Sequence, residues 1–268
     1  MITDITLGQY IPKESFVHKL DPRIKIVLAI IYIVSVFIAK SILSYTLVGL
    51  FTFFCIFLSK INLKTVLKSL KPVLFLIIFT TLVNMFLMGG SDVLIEFYFI
   101  KITFQGLKAA VMMSLRLVFL VMGTSLLTYT TTPIQLTDGI EKLLSPLKVL
   151  KFPAHEIAMM MTIALRFIPT LLEETDKIIK AQKARGIDFE SGNLIKRTRA
   201  LIPILVPLFI NSFRRADELA MAMECRCYRG GEGRTRLKQL KLSYNDLIAV
   251  LVIIMYCALV VILNFLKG

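Results

Sequence analysis

The stretch LIAVLVIIMYCALVVILNFL, residues 247–266, carries no charge from end to end. A bilayer core is about 30 Å thick and a helix rises about 1.5 Å per residue, so roughly 20 apolar residues cross it. Four earlier runs repeat the pattern: 26–39, 41–59, 72–91 and 109–132, uncharged except for Arg116. The first is short, but the flanking Lys25 and Lys40 can bury their stems and extend it. These runs are rich in Leu and Ile and show no period-two alternation, which selects helices over barrel strands. Asp21-Pro22 opens the first helix with a capping carboxylate and a proline at the first helical position.

Composition supports the same class. Hydrophobic residues make up 56% of the chain and charged ones 19%, with a mean hydropathy of +0.76; soluble chains average about 45–50% and about 25%. The net charge of +14 belongs to loops on the inner face of a membrane rather than to a nucleic-acid surface. Lys13, Lys19, Arg23 and Lys25 precede the first run, and Lys60, Lys64, Lys68 and Lys71 separate the second from the third. The intervening loops hold only Lys40, or mix Asp92 and Glu96 with Lys101 and Lys108. Alternate loops are basic, which predicts a cytoplasmic N-terminus, a cytoplasmic region after the fourth run and an extracytoplasmic C-terminus. The opening segment, 1–20, is mostly polar and does not read as a cleavable signal peptide.

Between residues 133 and 241 charges recur every few positions on a helical apolar period. Three helices are expected, over 134–144, 154–184 with a bend at Pro169, and 201–226. Residues 200–213 are uncharged but too short to span, and a sixth span would carry the basic residues 234–241 outside. The expectation is an all-α polytopic membrane protein with about five transmembrane helices and about three cytoplasmic or interfacial helices. It divides into 1–132, 133–241 and 242–268.

The chemistry of a self-sufficient enzyme or pump is hard to find. No Gly-x-x-x-x-Gly-Lys-Ser/Thr loop occurs, and Gly230-Gly231-Glu232-Gly233 reads as a turn. His18 and His155 lack neighbouring ligand residues, Cys225-x-Cys227 has no second pair, and the four cysteines form no disulfide framework. No metal or cofactor is implied. The apolar runs hold no Asp or Glu, which leaves the alternative of a self-sufficient secondary transporter without a membrane-embedded proton or ion path. Arg116 lies in the outer third of its run, where it can snorkel. A membrane-embedded enzyme would need residues that meet only in space. Met159-Met160-Met161 and Met221 with Met223 suit either irregular packing or an adaptable docking surface.

The most informative pattern is a repeat. Asp176, Ala181 and Arg185 recur, at one constant offset, as Asp217, Ala222 and Arg226. Arginine near a helix C-terminus is favoured by the macrodipole, by about 0.3–1 kcal/mol. Matched endings on two helices also suit a partner with two equivalent sites, and arginine forks pair with carboxylates.

These endings resemble the paired Ala-Arg-Gly motifs of the energy-coupling-factor transporter transmembrane component, the T component. Ser15-x-x-His18-x-Leu20-Asp21-Pro22-Arg23-x-Lys25 is similar to that family's opening motif. Thr131-Thr132-Pro133, Pro153-x-x-Glu156 and Ala164-Leu165-Arg166-Phe167-Ile168-Pro169-Thr170 resemble its central block. Ala181-Gln182-x-Ala184-Arg185-Gly186 and Tyr228-Arg229-Gly230 follow in order. The resemblance implies a non-catalytic scaffold joining two cytoplasmic ATPase subunits to a membrane-embedded substrate-binding S component, for uptake of vitamins or other micronutrients. It places Arg185, with Ala184 and Gly186, and Arg226, with Cys225 and Cys227, at the ATPase contacts. Cys225-Arg226-Cys227 departs from Ala-Arg-Gly, and a left-handed residue other than glycine costs about 1 kcal/mol or more. The third helix is therefore expected to continue past Arg226 towards Gly230.

Overall fold

A computed structural model describes residues 9–87, 93–97, 100–146, 152–189, 193–230 and 240–265. Most of the glycine-rich turn and basic cluster near residues 231–239 therefore lie outside the described residues.

After the short α1 (Phe16–Lys19) come α2 (Pro22–Ile38), α3 (Ile42–Ser59), α4 (Leu63–Lys68) and α5 (Leu74–Leu87). An antiparallel hairpin of β1 (Val93–Phe97) and β2 (Ile100–Thr103) leads into α6 (Phe104–Thr130), then α7 (Pro133–Leu144). The long α8 (Ala154–Ala184) and α9 (Leu194–Cys225) precede α10 (Tyr244–Phe265). The hairpin is an addition to the expected all-helical layout. It occupies a loop whose apolar and charged residues alternate (Ile95, Glu96, Phe97; Ile100, Lys101, Ile102) over a stretch too short for the period to stand out.

Five helical stretches among the described residues are long and apolar enough to cross a membrane: Ile42–Ser59, Leu63–Phe86, Phe104–Thr130, Ala154–Ala184 and Tyr244–Phe265. The number agrees with the sequence reading, but the membership differs. The shorter α2 falls outside the set, and α8, expected beneath the membrane, meets the criterion by length and composition.

Capping chemistry explains where several helices begin. Asp21 accepts from the Arg23 backbone N–H at 2.9 Å, with Pro22 as the first helical residue. Thr103 accepts from Gly106 N–H to start α6. At α7, Thr132 Oγ1 accepts from Gln135 N–H while Gln135 Oε1 accepts from Thr132 N–H, a reciprocal capping box that accounts for the Thr131-Thr132-Pro133 motif.

The chain divides into two compact units, residues 141–239 and residues 8–140 with 240–268. In the second unit α2, α3, α6 and α10 pack around Tyr32, Val36, Tyr45, Val48, Phe119, Ile253, Tyr256 and Val260. Rings of Tyr32, Phe51 and Tyr256 stack through this core. Tyr32 Oη meets Thr52 Oγ1 at 2.7 Å and donates to the Phe119 carbonyl, while Ser35 Oγ donates to Tyr256 Oη. Gly123 lies against the Tyr32 ring, where an added Cβ would collide with it. The interior thus carries hydroxyls and small residues, while large apolar side chains such as Phe57, Phe75 and Phe265 face outward, as a lipid solvent demands.

Two polar anchors, neither singled out from sequence, tie the helix ends. Asp246 accepts from Asp21 N–H at 2.8 Å with one oxygen and from Ser243 N–H at 2.7 Å with the other, joining the N-termini of α2 and α10. At the opposite ends, Asn264 Nδ2 donates to Ile38 O, and its oxygen accepts from Lys40 N–H and Ser44 Oγ. Ser243-x-x-Asp246 is the sequence signal for the first anchor, since an acceptor placed one turn after a cap can reach back.

Lys25 is buried and donates to the carbonyls of His18 and Thr130, so its charge sits at the C-terminal ends of α1 and α6. Arg116 turns to Tyr45 Oη and the Ala39 carbonyl at the end of α2, with its guanidinium over Phe37. It serves as a helix cap.

Asp246→Ala would strand two backbone N–H groups, that of Asp21 among them in a buried setting. Stranding the buried Asp21 N–H costs about 1–3 kcal/mol, and losing the part-buried Ser243 bond costs about 0.5–1.5 kcal/mol. Thermal unfolding of the detergent-solubilised chain should therefore show a fall in stability of about 1.5–4.5 kcal/mol, with Asp246→Asn, which keeps one acceptor oxygen, losing less.

Candidate functional site

In the opening motif, Ser15 caps α1 and its Oγ meets His18 Nδ1 at 2.6 Å, while His18 Nε2 lies 3.1 Å from the Ile11 carbonyl. A carbonyl only accepts, so Nε2 carries the proton and Nδ1 accepts from Ser15. Burial, reinforced by the charges of Lys25 and Lys13, holds His18 below the ordinary imidazole range despite the Ile11 bond. For Asp21 burial pushes upward, but hydrogen bonds and charge from Arg23 prevail and hold the carboxyl below its usual range. The motif is a structural joint: it fixes the entry of α2 and, through Ile11 N–H and Lys25, covers the last carbonyls of α6.

The two arginine motifs lie in the other unit, on α8 and α9. At the end of α8, Ile187 N–H bonds to Gln182 O and Gly186 N–H to Lys183 O, with Gly186 at φ +86°. At the end of α9, Tyr228 N–H bonds to Met223 O and Cys227 N–H to Glu224 O, with Cys227 at φ +59°. Both are Schellman caps. Every donor and acceptor of the second matches one in the first at the same offset that relates Arg226 to Arg185. This corrects the expected continuation of the third helix. α9 ends at Cys225, and Cys227 takes the left-handed position that Gly186 takes. The reason is energetic: two capping bonds, each worth about 0.5–1.5 kcal/mol net, offset the roughly 1–2 kcal/mol of left-handed strain. The start of α9 also differs. It begins at Leu194 rather than near Leu201, and it continues through Pro203 and Pro207.

Ala184, Arg185, Gly186, Cys225, Arg226 and Cys227 are all exposed. The two triplets are not brought together. Gln182 of α8 meets Pro203 of α9, Glu174 meets Asn211 and Arg215, and Met159 meets Tyr228. The order of partners runs backwards along α9, so the helices are antiparallel and the tips stand at opposite ends of the pair. Arg185 lies as far beyond Glu174 in sequence as Arg226 lies beyond Arg215. Each arm is about three helical turns long and the two run in opposite directions, so the tips are separated by a distance on the order of 30 Å.

Glu174 and Arg215 are themselves related by the repeat offset, so the ion pair between them, 3.2 Å, joins equivalent positions and sits on a local pseudo-twofold axis. Glu174 also accepts from the Asn211 side-chain amide.

Each tip is braced by the N-terminal half of the opposite helix. Pro207 has no N–H, so the carbonyl one turn back, Pro203 O, loses its helical donor, and Gln182 Nε2 supplies one at 3.4 Å. At the other end Tyr228 Oη donates to Met159 Sδ at 3.2 Å. Met159 thus braces a tip, while Met160, Met161 and Met221 are exposed. The sequence reading found the tips and missed the brace and the crossing, although the shared offset of Glu174 and Arg215 was available to it.

A family model described as Cobalt transport protein, CbiQ, matches residues 13–237. An energy-coupling factor transporter transmembrane protein EcfT of Clostridium kluyveri is 59% identical over 263 residues, covering 98% of this chain and 96% of its own. Proteins of the same description from Ruminiclostridium cellulolyticum and Bacillus subtilis are 53% and 46% identical, each covering at least 97% of both chains. The molecule is a multi-pass helical membrane protein of the transporter class. It belongs to the family of energy-coupling factor transporter transmembrane proteins.

Proposed function

We propose that this chain is the coupling scaffold of an ATP-driven importer, contacting two cytoplasmic ATPase subunits through Arg185 and Arg226 and a membrane-embedded S component that captures a vitamin or other micronutrient. In this reading residues 1–132 and 242–268 form the membrane regions and 133–241 the coupling region. The N-terminus is cytoplasmic and the C-terminus extracytoplasmic. The scaffold hydrolyses nothing itself.

The observation that carries this reading is the pair of identically capped, exposed arginine tips about a pseudo-twofold. An ATPase dimer with two equivalent grooves has the same symmetry, and each groove takes one arginine flanked by small residues. Ala184 with Gly186, and Cys225 with Cys227, leave room for a carboxylate to meet the guanidinium as a bidentate pair. An antiparallel pair related by a twofold perpendicular to its axes lies flat against such a dimer. Movement of either ATPase then reaches the other helix through the Glu174 crossing.

Reconstitution tests this against a self-sufficient carrier. Liposomes holding the chain with its S component and ATPases are expected to take up substrate only with ATP, and liposomes holding the chain alone are expected to take up none. ATP-independent uptake by the lone chain would replace the proposal with the carrier.

A further inference from the structure

Cys225 and Cys227 occupy positions where a thiol lowers stability and returns no packing. Cys227 sits at φ +59°, a conformation that glycine adopts without strain and that costs other residues about 1–2 kcal/mol. Cys225 ends a helix in which alanine is the better helix former by a fraction of a kcal/mol. Both side chains are free and exposed, so neither loss is offset by burial. The equivalent tip, with the same cap and bonds, carries Ala184 and Gly186. The other two cysteines, Cys55 and Cys257, are part-buried in α3 and α10. Two solvent-facing thiols therefore bracket Arg226, and none brackets Arg185.

We infer that the second tip is a thiol-modification site for low-molecular-weight disulfides, and that modification there withdraws this tip from its ATPase while leaving the Arg185 tip free. The inference rests on the function proposed above. In the reaction a thiolate of Cys225 or Cys227 attacks one sulfur of a disulfide RSSR. A new S–S bond joins cysteine to RS, the original S–S bond breaks, and RS⁻ departs and takes up a proton. The protein thiol is oxidised and one half of the reagent is reduced, so no other oxidant is required. With glutathione as R, the adduct is a tripeptide bearing two carboxylates beside the Arg226 guanidinium. These compete for the donors that would otherwise meet the ATPase carboxylates, and the added bulk fills the space that small neighbours leave open. Reduction by a free thiol restores the tip.

The test uses the full chain in detergent with oxidised glutathione as the probe. Peptide mass mapping is expected to place the adduct on the peptide containing Cys225 and Cys227, with at least tenfold less on those containing Cys55 and Cys257. The adduct should lower co-purification of ATPase at least tenfold for a chain whose first tip is already disabled by Arg185→Glu, and dithiothreitol should restore it. Preassembly with the ATPases should slow modification at least tenfold. The variant Cys225→Ala with Cys227→Gly, compared only with itself before and after the reagent, should show no response. Modification of the tip without loss of ATPase, or no modification there at all, overturns the inference. If ATPase is retained with both arginines reversed and no reagent present, the proposed function itself fails, so the two failures are told apart.

Discussion

Reversing both tip arginines together, Arg185→Glu with Arg226→Glu, is expected to abolish co-purification of the ATPase subunits and ATP-driven uptake while leaving membrane insertion and thermal stability unchanged. Both side chains are exposed and lie just beyond their helices, so neither contributes to the fold through burial. Loss of one partner from a charge pair buried at an interface costs about 2–5 kcal/mol, or about 30- to 4,000-fold in affinity. Reversal adds repulsion to that loss. Single reversals should be graded rather than absolute. With one tip seated, the second meets its groove at a local concentration of about millimolar, so one intact tip keeps a weakened, salt-sensitive complex. The double variant has no such residue of avidity. Pull-down at two salt concentrations, read beside thermal unfolding, separates the outcomes. ATPase retention by the double variant at low salt would remove the arginines from the interface.

How much of this was legible in the sequence depended on whether the signal was local. The 247–266 run, the Asp21-Pro22 start and the 154–184 helix follow from periodicity, length and capping, which neighbouring residues decide, and the structure places helices at Pro22–Ile38, Ala154–Ala184 and Tyr244–Phe265. The arginine tips were equally legible because their motif is contiguous. Asp246 was not, since its partner Asp21 lies at the far end of the chain. Asn264 was hidden inside an apolar run, where its three hydrogen bonds to the α2–α3 junction look from sequence like a single polar interruption. The cap at Cys227 went the other way: the propensity argument against left-handed cysteine was sound for an isolated residue, and the two Schellman bonds outweighed it. The crossing of α8 and α9 depended on their antiparallel order, which no single helix encodes. Pro207, Pro203 and Gln182 held a clue, because an orphaned carbonyl needs a donor, but the identity of that donor is a tertiary fact.

That crossing carries the second large prediction. Glu174→Arg is expected to reduce ATP-driven uptake at least tenfold, Arg215→Glu to do the same, and the two combined to recover most of it. The Glu174–Arg215 pair is worth little as stability. Arg215 keeps 40% of its side-chain exposure, and ion pairs so exposed contribute about 0–1 kcal/mol. The role that follows from the proposed function is geometric. Each tip stands about three helical turns from the crossing, an arm of about 16 Å. A rotation of about 10° at the crossing then moves each tip by about 3 Å, enough to take a guanidinium out of hydrogen-bond range of its carboxylate. Two arginines facing each other at the crossing repel and also cost Asn211 its acceptor, so the arms splay. The swapped pair restores attraction at the same place on the pseudo-twofold. A local stabilising role predicts that unfolding temperature and uptake move together across the four proteins. The positioning role predicts that unfolding temperature changes little while uptake and the ratio of uptake to ATP hydrolysis fall and then recover. A swap that fails to recover uptake, while both single variants fold, would show that the crossing does not set the tips.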